Sequence, residues 1–130
     1  MKILDANAIL RYVLEDNQEQ AKIVAEEIRK GSCTTLEVIA EVVYVLSGVY
    51  KIPRHETSWI IHCLMLDLRV EDERSLRYAM GIFDQTSLDF VDCLLIAYHK
   101  VLGLDVLSFD KKLNKGMERN FGIYQIPDVK

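Results

Sequence analysis

The chain opens with Met1-Lys2-Ile3-Leu4-Asp5-Ala6-Asn7, an apolar run that ends at an acid. The four residues before Asp5 predict a short strand, and the apolar spacing over residues 7–14 predicts a helix. Strands that alternate with helices along a chain are typical of α/β proteins. The opening of the sequence therefore predicts a fold of this class.

The same alternation continues to the end of the chain. Further short strands are predicted at residues 68–70, 106–109 and 123–126, and a short strand or turn at residues 32–35. Helices are predicted at residues 18–29, 36–49, 53–67, 73–83 and 88–102, and a short helix or loop at residues 111–117. Strands separated by helices form a parallel sheet with helices on both faces. We therefore expect a single domain over residues 1–130, with a three-layer α/β/α architecture and a central parallel sheet.

The composition narrows the class of protein. Apolar residues make up 50% and charged residues 28% of the chain, which is typical of a soluble globular domain. No apolar run approaches the roughly 18 residues that a membrane span requires, and the N-terminus lacks the layout of a signal peptide. We therefore expect a cytoplasmic protein. Three widely separated cysteines form no CxxC pair, so neither a zinc site nor a disulfide framework is expected.

The net charge of −4 argues against a nucleic-acid partner when it is taken alone, but the distribution of charge does not. Residues 111–119 contain four basic side chains and one acid, Glu118, which gives a local charge of +3. The basic residues are Lys111, Lys112, Lys115 and Arg119. This segment is either a solvated helix face or a set of phosphate contacts.

Four acids interrupt or end segments that otherwise read as buried: Asp5, Glu41, Asp92 and Asp110. An unpaired buried carboxylate is costly, and one divalent cation bound by all four would compensate them together. Asp5 and Asp110 each follow a predicted strand. Ligands of parallel sheets gather at the C-terminal ends of the strands, so these two acids are expected at one edge of the sheet.

Each acid also has a simpler interpretation. Asp5 can cap the helix that follows it, and Asp92 is favoured by the positive end of its own helix. Glu41 can form a salt bridge or lie at the rim of its helix, and Asp110 is ordinary as a turn residue.

Two further acids share helix faces with members of this set. Glu37, four residues before Glu41, is a second candidate ligand. Asp89, three residues before Asp92, is either a capping acid or a supporting group near a metal.

Taken in order, these motifs resemble the PIN-domain family, most closely the VapC-like toxin ribonucleases. The matching stretches are Leu4-Asp5-Ala6-Asn7, residues 38–46, residues 89–97 and residues 107–112. The resemblance implies that the four acids are the family's catalytic and metal-binding quartet, supported by Asn7 and Ser108. Ala6 and Ser108 stand where the family often has threonine. Ser108 keeps the hydroxyl group, whereas Ala6 loses it.

The chemistry of the acids agrees with this resemblance. Oxygen ligands without a nearby histidine or cysteine suit Mg²⁺ or Mn²⁺, and such ions can promote phosphodiester hydrolysis without a protein nucleophile. We therefore expect a metal-dependent endoribonuclease, in which Lys111, Lys112 and Lys115 contact substrate phosphates. The resemblance also implies a homodimer and a small antitoxin partner. The alternatives are a DNA nuclease and a catalytically silent PIN-fold interaction module.

Overall fold

The computed structural model describes residues 1–122, so the strand predicted at residues 123–126 lies outside the described residues. The chain divides into two compact units, Met1–Glu73 and Arg74–Lys130. Within residues 1–122, none of the helices combines the length and the apolar character that a membrane crossing requires.

The first unit is built on a small parallel sheet. Its strands pair in the order β1-β2-β3, with Lys2 opposite Ser32 and Cys33 opposite Arg69. The elements of this unit are β1 (Lys2–Ile3), α1 (Ala6–Leu14), α2 (Gln18–Lys30), β2 (Ser32–Thr34), α3 (Leu36–Val43), a π-helical turn (Tyr44–Val49), α4 (Arg54–Asp67) and β3 (Arg69–Val70). The predicted α/β class and its parallel sheet are confirmed.

Side-chain caps fix the two helices that leave the sheet edge. The Asp5 carboxylate accepts the backbone N–H of Ala8 at 2.8 Å, and the Thr35 hydroxyl accepts the N–H of Val38 at 3.3 Å. Each cap satisfies one of the unpaired N–H groups at the start of a helix. The strand-to-helix corners of β1–α1 and β2–α3 are therefore set by local hydrogen bonds.

The core of the first unit is aliphatic. Helices α1 and α3 are in contact, as are α1 and α2. The side chains buried almost completely here are Ile9, Ile39, Val42, Val43, Leu46 and Ile61.

The second unit is helical over its described residues. It contains α5 (Glu73–Gln85, which begins one residue before the boundary), α6 (Phe90–Leu102) and α7 (Lys111–Glu118). The Phe83 and Phe90 rings meet edge to face at 6.1 Å between centroids. Gly103 ends α6 with φ of 72°, a left-handed conformation that favours glycine. The sequence predicted this stop.

The prediction of a strand at residues 106–109 is wrong, because this segment forms no strand in the structure. The Leu107 side chain is 90% exposed and the Phe109 side chain is 94% exposed. A four-residue apolar run records a local preference, whereas a strand also requires a pairing partner elsewhere in the chain.

The prediction for residues 36–49 is partly wrong. The segment is helical, but it changes to π-helical geometry at Tyr44 and is not buried on every side. Tyr44 is 70% exposed, and Val49 is also exposed. Apolar residues on every side of a helix predict full burial, yet large apolar side chains also occur on protein surfaces.

Candidate functional site

Asp5 lies at the carboxyl end of β1, as predicted, and serves as the N-cap of α1. The hydroxyl of Thr34, which is buried at the end of β2, donates to the Leu4 carbonyl at 2.9 Å. This bond fixes the backbone directly before Asp5. The capping bond uses Asp5 Oδ1, so Oδ2 is the atom that can serve a ligand.

Glu41 belongs to the first unit and lies on α3. Its side chain is exposed, so the expectation that Glu41 is buried among apolar residues is wrong. The neighbouring Ile39, Val42 and Val43 supply the buried face of the helix. The alternative of exposure at the helix rim describes the position of Glu41.

The second unit brings three acids together. Asp89 is the N-cap residue of α6 but makes no capping bond with its side chain, and Asp92 lies in the first turn. Burial, followed by the negative charges of Asp110 and Asp89, raises the pKa of the Asp92 carboxyl. Negative charges beside Asp92 disfavour its ionised form, and a bound cation would relieve that effect. Asp89 holds the N-cap position without a side-chain capping bond, and its supporting role near a metal stays a prediction.

Asp110 is the N-cap residue of α7, and its Oδ1 accepts the N–H of Leu113 at 3.0 Å. Its own backbone N–H donates to the Ser108 hydroxyl at 3.0 Å, and the Asn114 side chain donates to the Ser108 carbonyl at 2.9 Å. These contacts fix the backbone beside Asp110, and the supporting role that the resemblance implied for Ser108 stays a prediction. They also add Asn114, which the sequence did not suggest.

The remaining predicted site residues are surface groups. Asn7 is exposed on the first turn of α1. Lys111, Lys112 and Lys115 are exposed on α7, on the surface that follows Asp110. Lys112 and Lys115 line a cleft of the second unit, and Lys111 does not.

The burial that the sequence predicted for the four acids is not found. Asp5, Glu41 and Asp110 are exposed, and Asp92 is half-buried. The chain leaves the interior at Asp5, but the apolar segment that precedes Asp110 is itself largely exposed. The exposed acids therefore do not carry the desolvation penalty that the sequence suggested.

The donor set suits a hard divalent cation, because every predicted ligand is a carboxylate oxygen. In the described part of the chain, however, no group of three or more histidine, cysteine, aspartate or glutamate side chains is arranged to hold a metal ion. Asp5 and Glu41 belong to the first unit, whereas Asp92 and Asp110 belong to the second. The assembly of all four around one ion therefore stays a prediction.

Sequence reasoning missed three residues that position this region. Thr34 and Asn114 fix the backbone near Asp5 and Asp110, as described above. The Glu71 carboxylate, directly after β3, accepts the N–H of Leu36 at 3.3 Å and so supports the start of α3. The only sequence signal for Thr34 was its place in the short segment predicted at residues 32–35. Asn114 and Glu71 are typical of polar surface residues, so nothing in the sequence singled them out.

Comparison with known proteins decides the family. A family model described as PIN domain matches residues 2–116, which include all four acids. The chain belongs to the PIN-domain family. It is also 29% identical over 123 residues to a VapC ribonuclease of Aquifex aeolicus (strain VF5), covering 88% of this chain and 91% of that relative. Comparison with solved structures gives no significant match. The resemblance predicted from the four acidic motifs is confirmed.

Proposed function

We infer that this PIN-domain protein is a VapC-like endoribonuclease that hydrolyses phosphodiester bonds in RNA with the help of Mg²⁺ or Mn²⁺. The observation that carries this inference is the family match over residues 2–116, which contains Asp5, Glu41, Asp92 and Asp110 in their expected order. The similarity to a VapC ribonuclease over most of both chains supports the same activity. In this proposal residues 1–130 act as a single PIN-like domain, since the family match runs through both compact units.

The chain's own residues would hold and orient the ligand oxygens. Asp5 and Asp110 each commit one carboxylate oxygen to a helix N–H, which restricts rotation of the side chain and leaves the second oxygen for a ligand. Asp92 would gain most from a cation, because its pKa is raised by burial and by the neighbouring Asp110 and Asp89. Glu41 would complete the set from α3. When bound, Mg²⁺ or Mn²⁺ would supply water activation and stabilise the charge that develops on the phosphate oxygens.

Two partners follow from the same proposal. The toxin of a VapC-like pair would be a cytoplasmic homodimer that is neutralised by a small antitoxin. Apolar surface for such contacts is present on the first unit, where Tyr44, Val49 and Tyr50 are exposed at the end of the α3 segment and Leu66 is exposed on α4. These side chains are the part of the predicted apolar helices that is not used in the core.

RNA cleavage tests the activity directly. A labelled single-stranded RNA is incubated with the protein in Mg²⁺ or Mn²⁺, and EDTA is added to a parallel sample. We expect cleavage that EDTA abolishes and that Asp92→Asn reduces by at least about a hundredfold without unfolding the chain.

The matched control is Asp105→Asn, which removes one charge from an exposed position of the same unit. It should cleave as the parent does. Cleavage of DNA in place of RNA, or a parent protein that is inactive with either metal, would overturn the proposed function. The first result would indicate a DNA nuclease, and the second a silent interaction module.

A further inference from the structure

A cleft of roughly 330 Å³ lies in the second unit between the α5–α6 loop and α7. One wall is formed by Thr86, Ser87 and Leu88, which come directly before Asp89. The residues on the opposite side are Lys112, Lys115, Gly116, Arg119 and Phe121. The cleft therefore lies between two segments that each adjoin an acid, since residues 86–88 precede Asp89 and α7 follows Asp110.

Gly116 creates this arrangement by letting α7 approach its neighbours closely. A Cβ atom at this position would lie 2.6 Å from Ile96 Cδ1 and 3.4 Å from Leu88 Cδ1. Leu113 and Gly116 form the buried face of α7, while Lys112 and Lys115 are exposed. The helix is thus held against α6 with its lysines beside the loop.

The described lining of the cleft is positively charged. Among residues 1–122 it contains three basic side chains and no acid. Within residues 1–122, the ion pairs of the structure do not engage Lys112, Lys115 or Arg119. The Arg119 guanidinium stacks over the Phe121 ring at 4.8 Å from the centroid, which fixes its position. With respect to the described residues, these cations are therefore open to an anionic ligand.

The two hydroxyl groups of the α5–α6 loop, those of Thr86 and Ser87, differ in their hydrogen bonds. The Thr86 hydroxyl donates to the Ile82 carbonyl at 2.8 Å and accepts the Leu88 N–H at 3.3 Å, so it is used within the loop. The Ser87 side chain is exposed in the wall of the cleft. Ser87 is consequently the hydroxyl that can donate to a ligand.

We propose that this cleft binds backbone phosphates of the RNA strand beside the bond that is cleaved. Lys112, Lys115 and Arg119 would neutralise the phosphates, and Ser87 would donate a hydrogen bond. The inference deepens the proposed ribonuclease function and rests on it. It replaces the predicted set of three neighbouring lysines with a cleft that excludes Lys111 and includes Arg119.

The dimensions of the cleft fit a strand of nucleic acid. Lys112 and Arg119 are seven residues apart, which is about 10 Å along a helix. A nucleic-acid strand in a duplex advances about 3.4 Å per phosphate, so the three cations span several phosphates. Lys112 is two residues from Asp110, and the track therefore runs away from the candidate site.

A second basic cleft in this unit is a weaker candidate. It encloses roughly 270 Å³ and carries Arg74, Arg77 and Lys100 beside Tyr78. Lys100 is eight residues from Asp92 along α6, or about 12 Å. This cleft lies toward the opposite end of α6 from the acids, so it serves as the matched control.

The test measures RNA binding as a function of salt. All variants carry Asp92→Asn to prevent cleavage, EDTA is present, and the probe is a fluorescein-labelled uridine 12-mer. Each phosphate contact contributes about 0.7 to the slope of log affinity against log salt for a single strand. We expect Lys112→Gln/Lys115→Gln to reduce the magnitude of the slope by about 1.4, and addition of Arg119→Gln to reduce it by about 2.1 in total.

The control double variant Arg74→Gln/Lys100→Gln removes the same charge from the second cleft and should leave the slope unchanged. The inference would be overturned if the slope fell equally in both double variants or fell in the control alone. It would also be overturned if the probe showed no salt-dependent binding. Circular dichroism verifies that every variant is folded. The proposed function is judged separately by metal-dependent cleavage, so the inference can fail while the ribonuclease activity stands.

Discussion

Asp92 is the residue whose environment departs most clearly from that of an ordinary surface acid. Burial, and then the negative charges of Asp110 and Asp89, raise its pKa in the folded chain. A carboxyl group with a raised pKa binds protons more tightly in the folded than in the unfolded state. Its ionisation therefore disfavours folding when no cation is bound.

This shift predicts a stability effect of Asp92→Asn with a defined dependence on pH. The loss of folding stability that ionised Asp92 causes is absent below the unfolded pKa of about 3.9. It grows as the pH rises through the higher pKa of the folded chain and is complete above that pKa. In EDTA, the variant should therefore melt at a higher temperature than the parent at pH 7, and the difference should disappear near pH 3.5. Thermal melts followed by circular dichroism measure it.

The exposed Asp105→Asn is the control for a simple change in net charge and should show no such gain. A lower melting temperature for Asp92→Asn at pH 7 would contradict the electrostatic interpretation of the three acids.

At the scale of single residues, the sequence identified the acids but not their surroundings. The motif around Asp5 predicted the strand-to-helix corner, because an acid after an apolar run is a local signal. Glu41 was expected to be buried, since the apolar residues on either side of it do not reveal which face of α3 meets solvent. The bond from Thr34 joins residues 30 positions apart, so no local pattern indicates it. The bond from Asn114 is local, but it depends on a loop conformation that the sequence did not predict.

At the scale of elements, the close packing of α7 depends on Gly116. An alanine Cβ would lie within 2.6 Å of the fully buried Ile96 side chain. Overpacking of this kind costs about 1–3 kcal/mol, partly offset by the higher helix propensity of alanine. We expect Gly116→Ala to lower the free energy of unfolding by about 1 kcal/mol in urea denaturation.

Gly48→Ala is the matched control, because its Cβ would make ordinary contacts of 3.7 Å with the Tyr44 ring. It should be neutral or slightly stabilising. If both variants unfold at the same urea concentration as the parent, α7 does not depend on this close approach.

A second contact between elements links α1 to α4. The Tyr12 phenol donates a hydrogen bond of 2.8 Å to the Asp67 carboxylate. Burial, this bond and the charges of Asp67 and Glu15 raise the pKa of Tyr12 to about 12. The neutral phenol is favoured in the folded chain, so the associated stability persists up to the unfolded pKa of about 10 and is lost as the pH rises toward about 12.

Tyr12→Phe should therefore remove an ionisation near pH 12 from an absorbance titration. Tyr44→Phe, which removes an exposed tyrosine, is the control and should leave that ionisation in place. Loss of an early-titrating tyrosine in Tyr12→Phe would show that the Tyr12–Asp67 bond is absent in solution.

The order of elements could be predicted from the sequence, because helix periodicity and breakers such as Gly103 act locally. The absence of a strand at residues 106–109 could not be predicted, since strand pairing depends on distant residues. The cleft beside α7 was also beyond prediction. The basic residues are evident in the sequence. Their position beside Ser87 depends on the close packing of α7, at Gly116, against Ile96 of α6.

At the scale of the whole molecule, charge is distributed unevenly. The chain has a net charge of −4, yet the four basic residues and one acid between positions 111 and 119 give +3. Under the proposed function, this positive segment would meet RNA while the four carboxylates would hold a cation. Mg²⁺ or Mn²⁺ should stabilise the folded chain by mass action, by about 2.7 kcal/mol at a hundredfold excess over the dissociation constant.

The measurement that tests the central claim most directly is Mn²⁺ binding by isothermal titration calorimetry. The parent protein is compared with four single variants and with the control Asp105→Asn. The variants are Asp5→Asn, Glu41→Gln, Asp92→Asn and Asp110→Asn. We expect each of the four to weaken Mn²⁺ binding by at least about tenfold while the control binds as the parent does. Parent-like binding by Asp5→Asn and Glu41→Gln, with loss only in the other two, would contradict a site shared by all four acids.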